Sequence, residues 1–212
     1  MEGFFFKVTF VNHIIKETII EYLNHIDTEL FLLLNGLHSP FWDVVFSWIT
    51  SRTSWIPVCG FLVLLLAFRN KWQTLYFVLI FGLLFTLSDQ ISVQLFKNVF
   101  ERLRPSHQPA LEGLVHVVGT RGGQFGFVSS HATNSFALAV FMGLIWRKHY
   151  RFVFPLMLLW AILVSYSRIY VGVHYPGDIL GGAILGSIIA IFVYYLTKWM
   201  NTKIRLKIRD LQ

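Results

Sequence analysis

The stretch FVSSHATNSFALAVFMGLIW, residues 127–146, decides how the chain is read. It opens on Ser129, Ser130 and His131, turns into an apolar run, and is closed by Arg147, Lys148 and Arg151. At ~1.5 Å per residue, ~20 residues cross a hydrocarbon core of ~30 Å. The segment therefore reads as a membrane-spanning helix with chemistry at one end and cations at the other.

Four further apolar runs flank it. The first covers residues 54–68 and is closed by Arg69, Asn70 and Lys71; it is short, and preceding residues are expected to extend it. The second covers 74–96, the fourth 152–171 and the fifth 179–199. Five spans define an all-α, integral-membrane helical bundle. Within the fifth, Gly182 and Gly186 form a small-xxx-small pair that lets a neighbouring helix approach closely. Asp89 and Gln90 lie inside the second run, where polar side chains need partners, and helix-to-helix hydrogen bonds are the simplest expectation. Residues 105–126 hold Pro105, Pro109, Gly113, Gly119, Gly122, Gly123 and Gly126, too many breakers for a span.

Composition agrees. The chain is 55% hydrophobic, 17% aromatic and 14% charged, whereas a soluble domain is about 25% charged. Its mean hydropathy is +0.60. The 21 phenylalanines and 7 tryptophans suit lipid contact and interfacial anchoring. A net charge of +7 on a soluble protein would raise nucleic acid as a partner. Here the cations gather at the ends of apolar runs, where they set topology and meet headgroups, so the expected partner is the lipid bilayer and no nucleic acid. The single Cys59 excludes an internal disulfide or a cysteine-rich metal site and reads as a packing residue.

Residues 1–50 are expected to form amphipathic, interfacial helices. From Phe10 to Leu23 apolar positions recur at helical spacing among Asn12, His13, Lys16, Glu17 and Glu21. Asn35, Gly36, Ser39 and Pro40 interrupt the next run, leaving a sixth span within the region as an option. No cleavable signal peptide is evident, because an acid, Glu2, stands where a basic region belongs. The division is thus 1–50 as N-terminal helices, 51–200 as the transmembrane core, and 201–212 as a basic cytoplasmic tail.

If the five spans alternate, Arg69 and Lys71, then Arg147, Lys148 and Arg151, then the basic tail share one side, which the positive-inside rule makes cytoplasmic. Three polar clusters then share the other. They are Lys97 to Pro105, Ser129-Ser130-His131, and Ser167 to Asp178.

Together these clusters suit a phosphate ester, which is close to dianionic at pH 7 and needs fixed charge and donors around it. Lys97, Arg104 and Arg168 supply three cations, the arginines with a planar fork fitted to two phosphate oxygens. Ser129 and Ser130 begin a span, so their N–H groups lie at a helix N-terminus, a natural anion position. His174 and Asp178 are four apart. With a helix starting near Pro176, Asp178 can accept from one ring nitrogen of His174 and leave the other free to attack phosphorus. His131 can protonate the leaving alcohol. For Arg102 and Arg121, snorkelling to headgroups is the simpler reading.

Lys97-x6-Arg104-Pro105, Ser129-Ser130-His131, and Ser167-Arg168-x5-His174-x3-Asp178 resemble the three signatures of the type 2 phosphatidic acid phosphatase superfamily. The first and third match completely. In the second, Val128 and Ser130 stand where the family pattern has proline and glycine. The resemblance covers about residues 54–199. It implies a helical bundle, often of six spans, and metal-independent phosphoryl transfer through a phosphohistidine, with no cofactor. By that analogy His174 is the nucleophile, Asp178 its orienter and His131 the general acid, while Lys97, Arg104, Ser129, Ser130 and Arg168 hold the phosphate. The implied substrate is a membrane lipid phosphate: undecaprenyl pyrophosphate, phosphatidylglycerol phosphate, phosphatidic acid or lipid A. The implied place is a bacterial inner membrane, with the site on its periplasmic face. A lipid phosphotransferase, or a non-catalytic lipid-binding or transport protein with a retained pocket, is the alternative. The related vanadium haloperoxidases are soluble, which five apolar spans oppose. No oligomeric state follows from the sequence.

Overall fold

A computed structural model describes the backbone of residues 2–147 and 149–204, and the side chains of 18–147 and 149–203. The expected basic tail from Arg205 onward, Lys148, and the side chains of the N-terminal amphipathic pattern before Thr18 lie outside the described residues. The elements are α1 (Glu2–Asn35), α2 (Pro40–Thr50), α3 (Trp55–Asn70), α4 (Thr74–Ile91), the short turn α5 (Asn98–Phe100), α6 (Ser130–Trp146), α7 (Val153–Tyr170) and α8 (Pro176–Ile204). Among the described residues there is no strand, only an isolated bridge between Leu103 and Phe125.

Each of the five apolar runs carries a long helix. Three stretches are long and apolar enough to cross a membrane, namely Arg52–Phe100, Val153–Tyr170 and Pro176–Lys203. The first contains both α3 and α4, folded back on each other at Lys71, whose φ of 53° lies in the left-handed region. Beyond α4, residues Ser92–Lys97 widen into a π-helical turn that ends on Lys97. Such turns re-aim side chains and recur at functional sites. In the N-terminal region α1 runs to Asn35 and α2 starts at Pro40, so the interruption falls at Asn35, Gly36, Ser39 and Pro40.

The bundle is organised around α6, which beyond Asn134 is apolar or small on every face and is buried by α4, α7 and α8. A helix without a polar face finds its place in the centre of a bundle. Ala132, Ala137, Leu138, Ala139, Phe141, Met142 and Trp146 are all buried. The α6–α8 contact depends on the glycine pair: a Cβ on Gly182 would stand 2.7 Å from the Ser129 carbonyl, and one on Gly186 would overlap the Thr133 carbonyl. Outward-facing Phe61, Leu64, Leu79, Leu156, Leu159, Ile184, Ile188 and Phe192 are exposed, as a lipid-facing belt requires.

Two devices tie the N-terminal helices and the long loop to the end of the bundle where α6 and α8 begin. Asn35, buried at the C-terminus of α1, donates to the carbonyls of His116 (3.0 Å), Ile169 (3.1 Å) and Tyr170 (2.8 Å), and accepts from the His116 N–H at 2.8 Å. The residue that interrupts the apolar pattern is thus an anchor. The loop itself closes on its own start, with Arg104 N–H bonded to the Gln124 carbonyl (3.0 Å) and Gly126 N–H to the Arg102 carbonyl (2.8 Å).

Candidate active site

The three polar clusters meet at that end of the bundle. Pro176 occupies the first turn of α8, where its fixed φ and missing N–H are favourable, so the helix begins close behind His174. His174 Nδ1 donates to Asp178 Oδ2 at 3.2 Å, and the same oxygen accepts the Tyr175 N–H at 3.0 Å. This fixes the tautomer and leaves Nε2 with its lone pair. His174 is 1% exposed. Burial pushes its imidazole well below the ordinary value, and the fields of Arg104, Arg168, Lys97 and Arg102 push the same way, so the ring is neutral.

The α6 end is tied in through its cap. Ser129 is the N-cap, its Oγ accepting from Ala132 N–H at 3.5 Å, while its own N–H donates to the Asp178 carbonyl at 3.1 Å. The following Ser130 takes the glycine position of the family pattern, and its hydroxyl is used: it accepts from Lys97 Nζ at 2.7 Å and pairs with Ser92 Oγ at 2.8 Å. Serine there gives the lysine a seat that glycine lacks.

The remaining cations converge from the loop and from α7. Arg104 Nε donates to the Phe125 carbonyl at 3.1 Å. A Cβ on Gly126 would stand 2.9 Å from Asp178 Oδ2, 3.2 Å from Arg104 Cγ and 3.5 Å from His174 Nδ1, so only a bare backbone passes over this junction. Arg168 lends its carbonyl to the N–H groups of Val173 and His174. Its guanidinium reaches Thr50 Oγ1 and leaves Nε buried without a partner. His131 Nε2 donates to the Thr50 carbonyl at 3.2 Å. Arg168 and His131 are thus brought together by one residue at the end of α2.

Two expectations need correction. Arg102 does not snorkel to headgroups. Its Nη1 donates to Asp178 Oδ1 at 2.9 Å and its Nη2 to Asp27 Oδ2 at 2.7 Å, with the guanidinium 4.2 Å over the Tyr175 ring. Asp178 has 0% exposure, and a carboxylate that deep needs this company. Asp89 and Gln90 do not form a helix-to-helix bond; both are exposed, and Asp89 lines an open cavity beside His131. Arg121 is exposed.

Sequence reading missed Asp27 and Thr50. Asp27, from α1, also accepts the Gly177 N–H at 2.7 Å, so it braces both Arg102 and the start of α8. Asp27 lies beyond the amphipathic run Phe10 to Leu23, and neither it nor Thr50 carries a pattern.

A bundle with apolar spans, holding four cations around a buried His–Asp pair, defines a membrane-embedded helical protein equipped to bind phosphate. The PAP2 superfamily model matches residues 74–202. The chain is 39% identical over 189 residues to the lipid A 4'-phosphatase of Bacteroides thetaiotaomicron, covering 88% of this chain and 83% of that one. It is 38% identical over 191 residues to the lipid A 4'-phosphatase of Porphyromonas gingivalis, covering 86% and 79%. The solved PAP2-type phosphatidylglycerolphosphate phosphatase of Bacillus subtilis superposes with a TM-score of 0.62 at 26% identity, over 86% of this chain and 88% of that one. The chain belongs to the PAP2 superfamily, and it is a multi-pass membrane lipid phosphatase.

Proposed function

We propose that the protein removes a phosphate from a membrane lipid through a phosphohistidine on His174, with lipid A as the first substrate class to test. The carrying observation is the buried, neutral His174, held at Nδ1 by Asp178 and surrounded by Lys97, Arg102, Arg104 and Arg168. Neutral imidazole is the nucleophilic form; burial keeps it neutral first, and the cations that add to this are also the ones a phosphate dianion needs.

In the first step His174 Nε2 donates its lone pair to phosphorus and the P–O bond to the lipid breaks. The leaving oxygen takes a proton from His131. That proton is carried on Nδ1, because Nε2–H is engaged by the Thr50 carbonyl. The phosphate enters as its monoanion and passes its proton to His131 Nδ1, which makes the ring the imidazolium that then protonates the leaving oxygen. In the second step His131, now neutral, takes a proton from water as the water attacks phosphorus. The N–P bond breaks and inorganic phosphate leaves. Lys97, Arg104 and Arg168, with the hydroxyl of Ser129 and the N–H and hydroxyl of Ser130, hold the transferring oxygens throughout, while the Ser129 N–H stays on the Asp178 carbonyl. Asp178 keeps the nucleophile aligned.

Arg69, Arg147 and Arg151 lie at the helix ends away from the site. The positive-inside rule therefore supports a site on the periplasmic face of a bacterial inner membrane. Lipid A enters as the leading class through the two 4'-phosphatase relatives. The test is phosphate release in detergent from lipid A, phosphatidylglycerol phosphate, phosphatidic acid and undecaprenyl pyrophosphate. Brief incubation with labelled substrate, quenched in alkali, is expected to leave acid-labile phosphate on the wild type and none on His174→Ala. Activity is expected to survive EDTA. Undiminished turnover by a folded His174→Ala protein removes the proposal.

A further inference from the structure

The short helix α2 has two faces that meet different surroundings. Asp43, Phe46 and Thr50 recur at i, i+3 and i+7 and turn toward α7 and the long loop. Asp43 Oδ1 accepts from the Tyr170 hydroxyl at 2.7 Å and from His116 Nε2 at 2.9 Å. The buried Phe46 ring stands 4.5 Å from that of Tyr170 and 5.2 Å from that of Tyr166. Phe41, Val44 and Trp48 repeat the spacing on the opposite side and are 69%, 72% and 60% exposed. This outer stripe carries no charge. We propose that it seats α2 in the headgroup–acyl boundary of the leaflet at the site end of the bundle, and that this seating sets His131 and Arg168 through Thr50.

The occupant of the outer face follows from continuity. Only the turn at residues 51–54 separates α2 from α3, whose exposed Ile56, Phe61 and Leu64 belong to the lipid-facing belt. A row of Phe, Val and Trp that leads into a lipid-facing helix meets the same apolar medium. Tryptophan in particular collects where acyl chain gives way to headgroup. Arg52, exposed just past the end of α2, stands where a cation meets headgroup phosphates. Asp43, the one charged residue within α2, is turned inward. A helix with its charge on the protein side and its aromatic side chains outward is the reverse of one that faces water.

The C-terminal end of α2 carries the consequence. Thr50 accepts from Arg168 at Oγ1 and from His131 Nε2 at its carbonyl. The His131 contact is made to backbone, so it travels with α2 as a body. A helix tilted out of the boundary takes the Thr50 carbonyl with it, and the His131 ring turns. Phe41, Val44 and Trp48 are therefore positioning residues that act from the membrane. This inference rests on the reading of His131 as the acid at the leaving oxygen, so a displaced α2 costs most where that oxygen needs a proton. An alkyl alcohol needs one to leave, whereas p-nitrophenolate leaves as a stable anion.

The test uses the full chain reconstituted in vesicles of phosphatidylcholine and phosphatidylglycerol. A nitroxide on Val44→Cys, in a Cys59→Ala background, is expected to be relaxed more strongly by dissolved oxygen than by an aqueous nickel chelate. The reverse order places the face in water and overturns the seating. Dipolar broadening between labels gives the face to a second copy of the chain and overturns it too. For the coupling, kcat is compared for a short-chain phosphatidate and for p-nitrophenyl phosphate. Trp48→Gln, with its thermal midpoint measured in parallel, is expected to lower the ratio of phosphatidate to aryl turnover about tenfold, part of the ~10²–10⁴ that a positioned acid contributes. Trp48→Phe is expected to keep the wild-type ratio, and Val44→Asn, a smaller change, to lower it in the same direction. An unchanged ratio in the folded variants overturns the coupling. A wild type that releases phosphate from neither ester overturns the phosphatase reading, while the nitroxide still decides the seating.

Discussion

The support beneath Asp178 yields the sharpest prediction. Its carboxylate accepts from Arg102 Nη1 at 2.9 Å, from the Tyr175 N–H at 3.0 Å and from His174 Nδ1 at 3.2 Å, and of these only the first comes from a fixed positive charge. Arg102→Ala removes it. A hydrogen bond to a charged group contributes ~1.5–3 kcal/mol. The Arg102 side chain is 23% exposed, so water enters part of the vacated space and the lower half of that range applies. About 1.5–2 kcal/mol less alignment of His174, at ~1.36 kcal/mol per decade, is a loss of about 10- to 30-fold in kcat/KM. Arg102→Lys replaces a fork that spans two carboxylates with one point charge and is expected to fall between. Asp27→Asn leaves the bond to Asp178 in place and is expected to lose less than about fivefold, since it weakens only the outer arm. The assay is phosphate release from a lipid phosphate in detergent, with thermal unfolding measured in parallel. Wild-type kcat/KM in a folded Arg102→Ala protein refutes the reasoning. So does an equal loss in Asp27→Asn, which would point to the docking of α1 instead.

Two further outcomes follow from packing and titration. Gly186→Ala places a methyl against the Thr133 carbonyl and 3.0 Å from Ala137 N, both backbone atoms that cannot swing aside. It is expected to lower stability by ~1–3 kcal/mol, whereas Gly60→Ala, with nothing within 4 Å of the new Cβ, is expected to leave the thermal midpoint unchanged or slightly raised. His174 is held neutral in the folded protein, below the ~6.5 of an unfolded histidine, so the unfolded chain binds the extra proton between those two values. Its contribution is fully present above about pH 6.5, and stability declines by up to ~1.4 kcal/mol per pH unit below it. The thermal midpoint in detergent is expected to drop on acidification, and a His174→Gln protein is expected to show a shallower slope. Identical slopes would contradict the burial argument.

Much of the fold is legible in the chain because a membrane makes strict demands. Backbone groups in hydrocarbon must pair within their own segment, so an apolar run of sufficient length has few options besides a helix. Gly182 and Gly186 likewise announce a close helix contact, because only a missing Cβ allows backbones that close, and the structure shows the neighbour to be α6. Cations at alternate helix ends suffice to place the three polar clusters at a common end of the bundle. His174 and Asp178 can be paired because four residues at a helix start bring side chains onto one face.

What the sequence does not reveal is the long-range support of those residues. Arg102 reads as one more interfacial cation until α1 brings Asp27, 75 positions away in the chain, to the other side of its guanidinium. Thr50 carries no pattern, yet it positions both His131 and Arg168 from the end of α2. Asn35 reads as a helix breaker and is the clamp on three carbonyls. Local spacing is written in the sequence because it follows from the 3.6-residue turn and from the length of a span. Which distant side chain satisfies a buried charge depends on how helices pack, and only the tertiary structure decides that. Residues 127–146 show both sides. By themselves they declare a helix with chemistry at its start, but only the packed bundle shows Ser130 seating Lys97 and Asn134 facing an open cavity without a partner.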